Sequence, residues 1–392
     1  MRGRSSLLKV AVLILLVALW TALPVAAAPG GVKGKPKPTA TPSPTPTPNP
    51  TPTPVCNQKT FQGRPIKLGV SGGNINDIGG GYCCVGTLGS LVTDGANDFI
   101  LSNNHVLARQ STATSSASAG EDIIQPGLAD SGCFAVANSQ VADLTNWVPI
   151  AFGGTNTVDA AIAQIRVGAV NIDGEILNIG KLGASVATPT LNMAVQKMGR
   201  TTCLTKSTIA AVNVNVSVGY SNVCGAMASG TAFYTGQIMI SSSTFSAGGD
   251  SGSLIVTRES CPRAVGLLFA GSSTTTIANP IGAVLSSLGV SMVGTCVAAA
   301  TASAPTVSSS TASAGRADAA IEAATKVRDR HEANLRQNRG VLGTGIARGA
   351  AANATVIEVY VEQDTPEVRA QIPATLDGIA TRVVETGEIV AY

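Results

Sequence analysis

Residues 249–256 read Gly249-Asp250-Ser251-Gly252-Ser253-Leu254-Ile255-Val256, a tight polar turn that runs directly into an apolar, β-branched strand. Glycines flanking the Asp-Ser pair permit a sharp bend that lifts the Ser251 hydroxyl clear and lets successive N–H groups converge on one point. Strands of the same kind recur in YCCVGTLGSLV, FILSNNHVLA, VDAAIAQIRV, STIAAVNVNVSVGY, GQIMISS and AVGLLFAG, with Gly and Asn between them. Many short strands punctuated by turn residues predict an all-β barrel or sandwich from Cys56 to about Val297. Composition agrees, because only 12% of the residues are charged and 4% aromatic, which disfavours long amphipathic helices.

Outside that block the chain changes character. Arg2, Arg4 and Lys9 precede an apolar stretch from Val10 to Trp20 and the small residues Ala26-Ala27-Ala28, so residues 1–28 are expected to be an export signal cleaved near Ala28. Apolar character persists from Val10 to Ala28, so the alternative is an uncleaved anchor holding the protein at the cell surface rather than releasing it as a secreted one. Residues 29–55 include KPKPTATPSPTPTPNPTPTP, an extended polyproline-like linker. Near the end of the β-rich domain, ANPIGAVLSSLGV predicts a short closing helix. Residues 298–315 form an Ala/Ser/Thr-rich linker. Residues 316–392 then predict a helix through ATKVRDRHEANLRQNR, strands at VLGTGIAR and TVIEVYVE, a helical turn at TPEVRAQI and strands at IATRVVE and EIVAY. This is a small separate α+β domain, read as an inhibitory or folding-assisting segment or as a passive appendage.

Charge and cysteine usage narrow the function classes. The net charge is +3 with no run of Lys or Arg beyond the extreme N-terminus, so a nucleic-acid partner is not expected. Eight cysteines in a chain with an export signal predict disulfides, with Cys203–Cys224 the favoured pair on proximity and the adjacent Cys83 and Cys84 seeking different partners. No C-x-x-C pair occurs and the two histidines, His105 and His331, lie far apart, so neither a metal site nor a cofactor is indicated.

The chemistry-bearing residues follow from what Ser251 would need. A serine hydroxyl becomes a nucleophile only beside a base, and His105 is the only histidine of the β-rich domain. His331 falls in the charged helix, where a solvated role is expected. A carboxylate should orient the imidazole, and Asp159, opening the apolar strand Val158-Asp159-Ala160-Ala161-Ile162, fits best; Asp143 and then Asp130 are the competitors. The N–H groups of Gly249 and Ser251 are the candidate oxyanion donors.

The order His105, Asp159, Ser251 resembles that of chymotrypsin-like serine peptidases. The segments GTLGSLV, LSNNHVLA, IIQPGLAD, VDAAIAQI, KMGRTTCLT, GDSGSLIV, VGLLFAG and IANPIGAVL together are similar to a mainly bacterial branch of that superfamily, over roughly residues 65–297. The resemblance implies a double β-barrel with the catalytic cleft between barrels, and endopeptidase activity on protein or peptide substrates. It also implies a specificity pocket with Phe245 at its base and Phe269, Ala270 and Gly271 as its wall, hence cleavage after small or apolar residues. Ser253 and Cys203 depart from the pattern, standing where relatives carry glycine, and no activated amino terminus of the trypsin type precedes the domain. A buried Asp250 would then need an internal cation, for which Arg200 or Lys197 is the candidate. A catalytically inactive peptide-binding relative and a surface adhesion module are the alternative functions.

Overall fold

The computed structural model describes residues 56–297, 310–351 and 354–392. The expected export signal and Pro/Thr linker, and most of the second linker, lie outside the described residues. Among the described residues no helix is long and apolar enough to cross a membrane.

The expected all-β double-barrel architecture is present as two curved sheets followed by an α+β segment. The first lobe is an eight-stranded antiparallel sheet built around β1 (Asp98–Ser102) and β2 (Ala161–Ile165), which pair from Ala161↔Ser102 to Gln164↔Phe99. Leu88, Leu91, Ile100, Leu101, Ile123, Leu144 and Ile162 fill its interior, each such side chain contributing about 1.5–3 kcal/mol by leaving water. One helical turn, α1 (Asn104–Leu107), caps β1.

The second lobe contains strands Ala194–Gly199, Cys203–Thr208, β3 (Ala211–Tyr220), β4 (Gly230–Ser241), Leu254–Thr257, β5 (Ala264–Gly271) and Thr275–Pro280. The expected closing helix is α2 (Ile281–Leu288), which stops where Gly289 turns left-handed at φ +68°. Met198, Leu254, Val256, Leu267 and Ile281 of this lobe share a core with the first lobe, so the two lobes are fixed against each other across the cleft.

The C-terminal segment comprises α3 (Ser310–Gln337), β6 (Val341–Arg348), β7 (Thr355–Val361), the turn Pro366–Ala370 capped by Thr365, β8 (Ile379–Glu385) and β9 (Val390–Ala391). It is not separate from the barrel. β6 pairs antiparallel with β3, from Ala211↔Ala347 to Val216↔Gly343, giving one 13-stranded sheet. The cause is an open edge: β4 occupies one side of β3, and the N–H and C=O groups on its other side need a partner. α3 adds buried polar ties, with Arg328 Nη1 donating to Asn213 O at 2.6 Å and Asn215 Nδ2 donating to Glu332 Oε2 at 3.0 Å.

All eight cysteines are paired, as Cys56–Cys203, Cys83–Cys133, Cys84–Cys224 and Cys261–Cys296. Cys83 and Cys84 do take different partners. The expected Cys203–Cys224 pair is corrected: Cys203 opens a strand that pairs with Ala194–Gly199, while Cys224 follows β3, and those strands are not neighbours in the sheet. Cys203 instead meets Cys56 and Cys224 meets Cys84, both from the N-terminal half of the domain.

Candidate active site

His105 sits on α1, a turn held by the two asparagines before it. Asn103 Nδ2 donates to Asp159 O at 2.7 Å, and Asn104 Nδ2 donates to Ser111 O at 2.9 Å and Val148 O at 2.7 Å. Both asparagines are fully buried, so α1 is clamped rather than merely attached to β1. The His105 N–H donates to Asp159 Oδ1 at 3.3 Å and the ring Nδ1 meets Asp159 Oδ2 at 2.6 Å. This bond fixes the proton on Nδ1 and turns Nε2 toward the cleft.

Asp159 lies just before β2 and has no solvent contact. Its N–H donates to Asn279 Oδ1 at 3.1 Å, and Tyr220 OH donates to Asp159 Oδ2 at 2.8 Å. Tyr220 and Tyr234 join hydroxyls at 2.7 Å. Burial first, and the Asp159 charge second, push both phenols well above the ordinary tyrosine range, so they stay neutral donors. Burial pulls the His105 imidazolium down, but the Asp159 charge and hydrogen bond, the Tyr392 carbonyl and Asp77 push it up further, leaving it above the ordinary histidine value.

Ser251 lies buried in the turn that precedes Leu254–Thr257, and Gly248 and Gly249 of the same turn line the cleft that His105 borders. Gly249 and Gly252 take φ +92° and +91°, and a side chain at Gly252 would lie 2.0 Å from Ser102 Oγ, so this bend requires glycine twice. Asp250 is buried beneath it and receives Lys197 Nζ at 3.2 Å, Thr201 N at 2.7 Å, Ala247 N at 3.0 Å and Thr202 Oγ1 at 2.7 Å. Lys197 is therefore its cation. Arg200 is not, because its guanidinium takes Asp130 at 2.8 and 2.5 Å. The competing carboxylates are thereby accounted for as structural, Asp130 on Arg200 and Asp143 on Arg166 at 2.6 Å. His331 meets Asp377 at 3.2 Å on the half-exposed face of α3, away from this cleft.

Among the described residues the N–H groups of Gly249 and Ser251 have no acceptor, although the neighbouring Asp250, Gly252 and Ser253 N–H groups all do. These two donors, on either side of Asp250 in the chain, are therefore left free in the turn that carries Ser251. Ser251 Oγ donates to Phe269 O at 3.0 Å, and His105 Nε2 faces Tyr392 O at 3.1 Å. Each group thus bonds a different backbone carbonyl, and among the described residues no hydrogen bond joins Ser251 to His105.

Of the residues expected to form a pocket, Phe245 lies in the core cluster on which Tyr392 packs and Gly271 lies beside the Tyr392 hydroxyl, whereas the Phe269 and Ala270 side chains belong to another cluster and meet the segment through backbone pairing. Sequence reasoning did not identify Tyr220, Asn103, Asn104 or Tyr392. The paired asparagines beside a unique histidine were a signal; nothing local marks Tyr220 or Tyr392. A grouping of metal-type donors at Asp77, Cys84 and Cys224 has its two sulfurs bonded to each other, which leaves one ligand.

No protein-family model matches the chain, and no curated protein matches it. Among solved structures, a glutamic acid-specific serine protease is similar at 22% identity over 58% of this chain and 100% of its own, with a TM-score of 0.39. Cellulomonas bogoriensis chymotrypsin is similar at 18% identity over 58% of this chain and 98% of its own, TM-score 0.37. Thermobifida fusca protease A is similar at 18% identity over 59% of this chain and 99% of its own, TM-score 0.35. At such distances the chemistry must be read from this chain's own side chains.

Proposed function

We propose that this chain is an exported chymotrypsin-like serine endopeptidase in which Ser251 attacks the peptide carbonyl, His105 is the general base and Asp159 orients it. The observation that carries this reading is the buried His105–Asp159 contact at 2.6 Å, which leaves Nε2 as the ring nitrogen on the cleft side, where the Tyr392 carbonyl now meets it at 3.1 Å. In that tautomer Nε2 can take the Ser251 proton as the hydroxyl attacks, and Asp159 stabilises the imidazolium that forms. The Gly249 and Ser251 N–H groups would hold the tetrahedral oxyanion, a contribution worth about 3–4 kcal/mol per donor in comparable sites. The proton then passes to the leaving amine, and water repeats the sequence on the acyl-enzyme. Four disulfides fit an oxidising compartment outside the cell.

Labelling with a serine-directed fluorophosphonate tests this directly. The phosphonyl group should be found on Ser251 by peptide mapping, and the Ser251→Ala variant should stay unlabelled. Equal labelling of both variants, or none after prolonged incubation of variants with an emptied cleft, would remove the assignment.

A further inference from the structure

We infer that Val390–Tyr392 is an intramolecular ligand of the catalytic cleft and that the pocket it fills is built for tyrosine, a step that rests on the peptidase reading above. β9 pairs antiparallel with the end of β5, Val390↔Gly271 and Ala391↔Ala270, and its other side meets β3 at Gly219↔Val390. The Tyr392 N–H donates to Phe269 O at 3.3 Å, continuing that ladder to the residue whose carbonyl also receives Ser251 Oγ. An extended segment added to a sheet edge is how sheets bind peptides generally: backbone bonds supply affinity and side-chain pockets supply selectivity.

The pocket has a distinct chemistry. The Tyr392 ring packs on the core cluster containing Phe245, Ile240 and Leu268. Its hydroxyl donates to Ser272 O at 2.7 Å, with Thr275 O at 3.4 Å. Gly271 leaves the space for the ring, since a side chain there would lie 2.3 Å from the hydroxyl and 2.6 Å from Cζ. An aromatic side chain with a terminal donor matches this pocket; a phenylalanine leaves the Ser272 carbonyl without that donor. Beyond Tyr392 the cleft stays open as a cavity of ≈ 330 Å³ bordered by His105, Gly248, Gly249, Cys84, Arg109 and Arg200. Ala391 and Tyr392 border this cavity beside His105.

The contact with His105 makes docking depend on pH. Nδ1 donates to Asp159, so Nε2 can donate to Tyr392 O only when the ring is doubly protonated. The groups facing the ring are Asp159, Tyr220 edge-on at 6.0 Å, and Asp77, whose carboxyl burial pushes up to about 6; Arg109 nearby is held by Glu121 at 2.7 Å. Docking that keeps a proton on His105 is strongest below the histidine's undocked pKa and weakens as pH rises through the docked one. The same rise frees the base for catalysis.

The test uses the full chain, a Val390–Tyr392 deletion and Tyr392→Ala, each checked for native circular dichroism and thermal unfolding. Fluorophosphonate labelling of Ser251 should be at least about 10-fold faster in the deletion and in Tyr392→Ala than in wild type, since either removes a buried aromatic anchor. A labelled Glu-Ile-Val-Ala-Tyr peptide should bind the Ser251→Ala deletion variant but not the chain whose cleft is filled. Replacing the peptide's tyrosine by alanine should weaken binding about 10²-fold and by phenylalanine several-fold, and affinity should fall as pH rises through the raised pKa of the docked His105. Equal binding of the tyrosine and alanine peptides, or a serine that is labelled at one measurable rate in all three chains, would overturn the inference. Tyrosine-dependent peptide binding with a serine that never reacts in any variant would instead overturn the peptidase reading and leave the ligand assignment standing.

Discussion

Asp159 and Asp250 are both wholly buried, and the molecule answers the cost of that burial in opposite ways. Asp250 has a permanent cation, Lys197, together with backbone and hydroxyl donors from Thr201, Thr202 and Ala247. Asp159 has only neutral donors from Tyr220 and the His105 N–H, plus a ring whose charge comes and goes. The difference teaches how an interior charge can be either structural or functional. A carboxylate neutralised by a fixed cation holds a turn in place, whereas in the proposed reading one completed only by a transient imidazolium would favour the protonation step that a serine nucleophile requires.

The largest effect should come from Asp159→Asn. The amide still accepts from Tyr220, so folding should change little, but it no longer stabilises the imidazolium or fixes the tautomer. Peptidase kcat/KM should fall about 10⁴-fold, the size this change has in the Ser-His-Asp template, with a thermal midpoint close to wild type. A large loss of stability with little loss of rate per folded molecule would reverse the roles given to the two aspartates.

Lys197→Met should show the opposite signature. Burial pushes the Lys197 ammonium down while Asp250 pushes it up, and removing this partner leaves a carboxylate without charge compensation. About 3–5 kcal/mol of stability should be lost, read from the shift of the urea midpoint at constant slope. Adding Asp250→Leu should not restore it fully, because the Thr201 and Ala247 N–H groups would then lose their acceptor.

The fold, and the residues of the proposed site, were legible in the sequence where they are written locally. The flanking glycines of Ser251, the single histidine of the β-rich domain and an aspartate opening an apolar strand each carry a signature within a few residues. The strand runs and the helix ending at Gly289 were equally open to inspection. What escaped was set by tertiary pairing. Cys203 and Cys224 are near in sequence, but Cys203 opens a strand that is not a neighbour of β3, which Cys224 follows, and Arg200 and Lys197, three residues apart, point to different aspartates. The attachment of β6 to β3 depends on which sheet edge is left open, and the position of Tyr392 depends on that attachment 287 residues away from His105. No local pattern encodes either.

The smallest predicted effect is also the one most specific to the transient side of the comparison. Tyr220→Phe removes the hydroxyl that donates to Asp159 Oδ2. A hydrogen bond to a charged group is worth about 1.5–3 kcal/mol, but only the part that differs between the two states of His105 reaches its titration. With that donor gone the carboxylate charge is less compensated, attracts the imidazolium more strongly and raises the His105 pKa. The sign follows: catalysis needs the neutral ring, so the rising limb of kcat/KM against pH should move upward, by less than about one unit. Near neutrality this should appear as a several-fold loss of rate that is recovered in alkaline buffer. A downward shift, or a uniform loss at every pH, would mean that Tyr220 merely packs beside the pair and does not tune it.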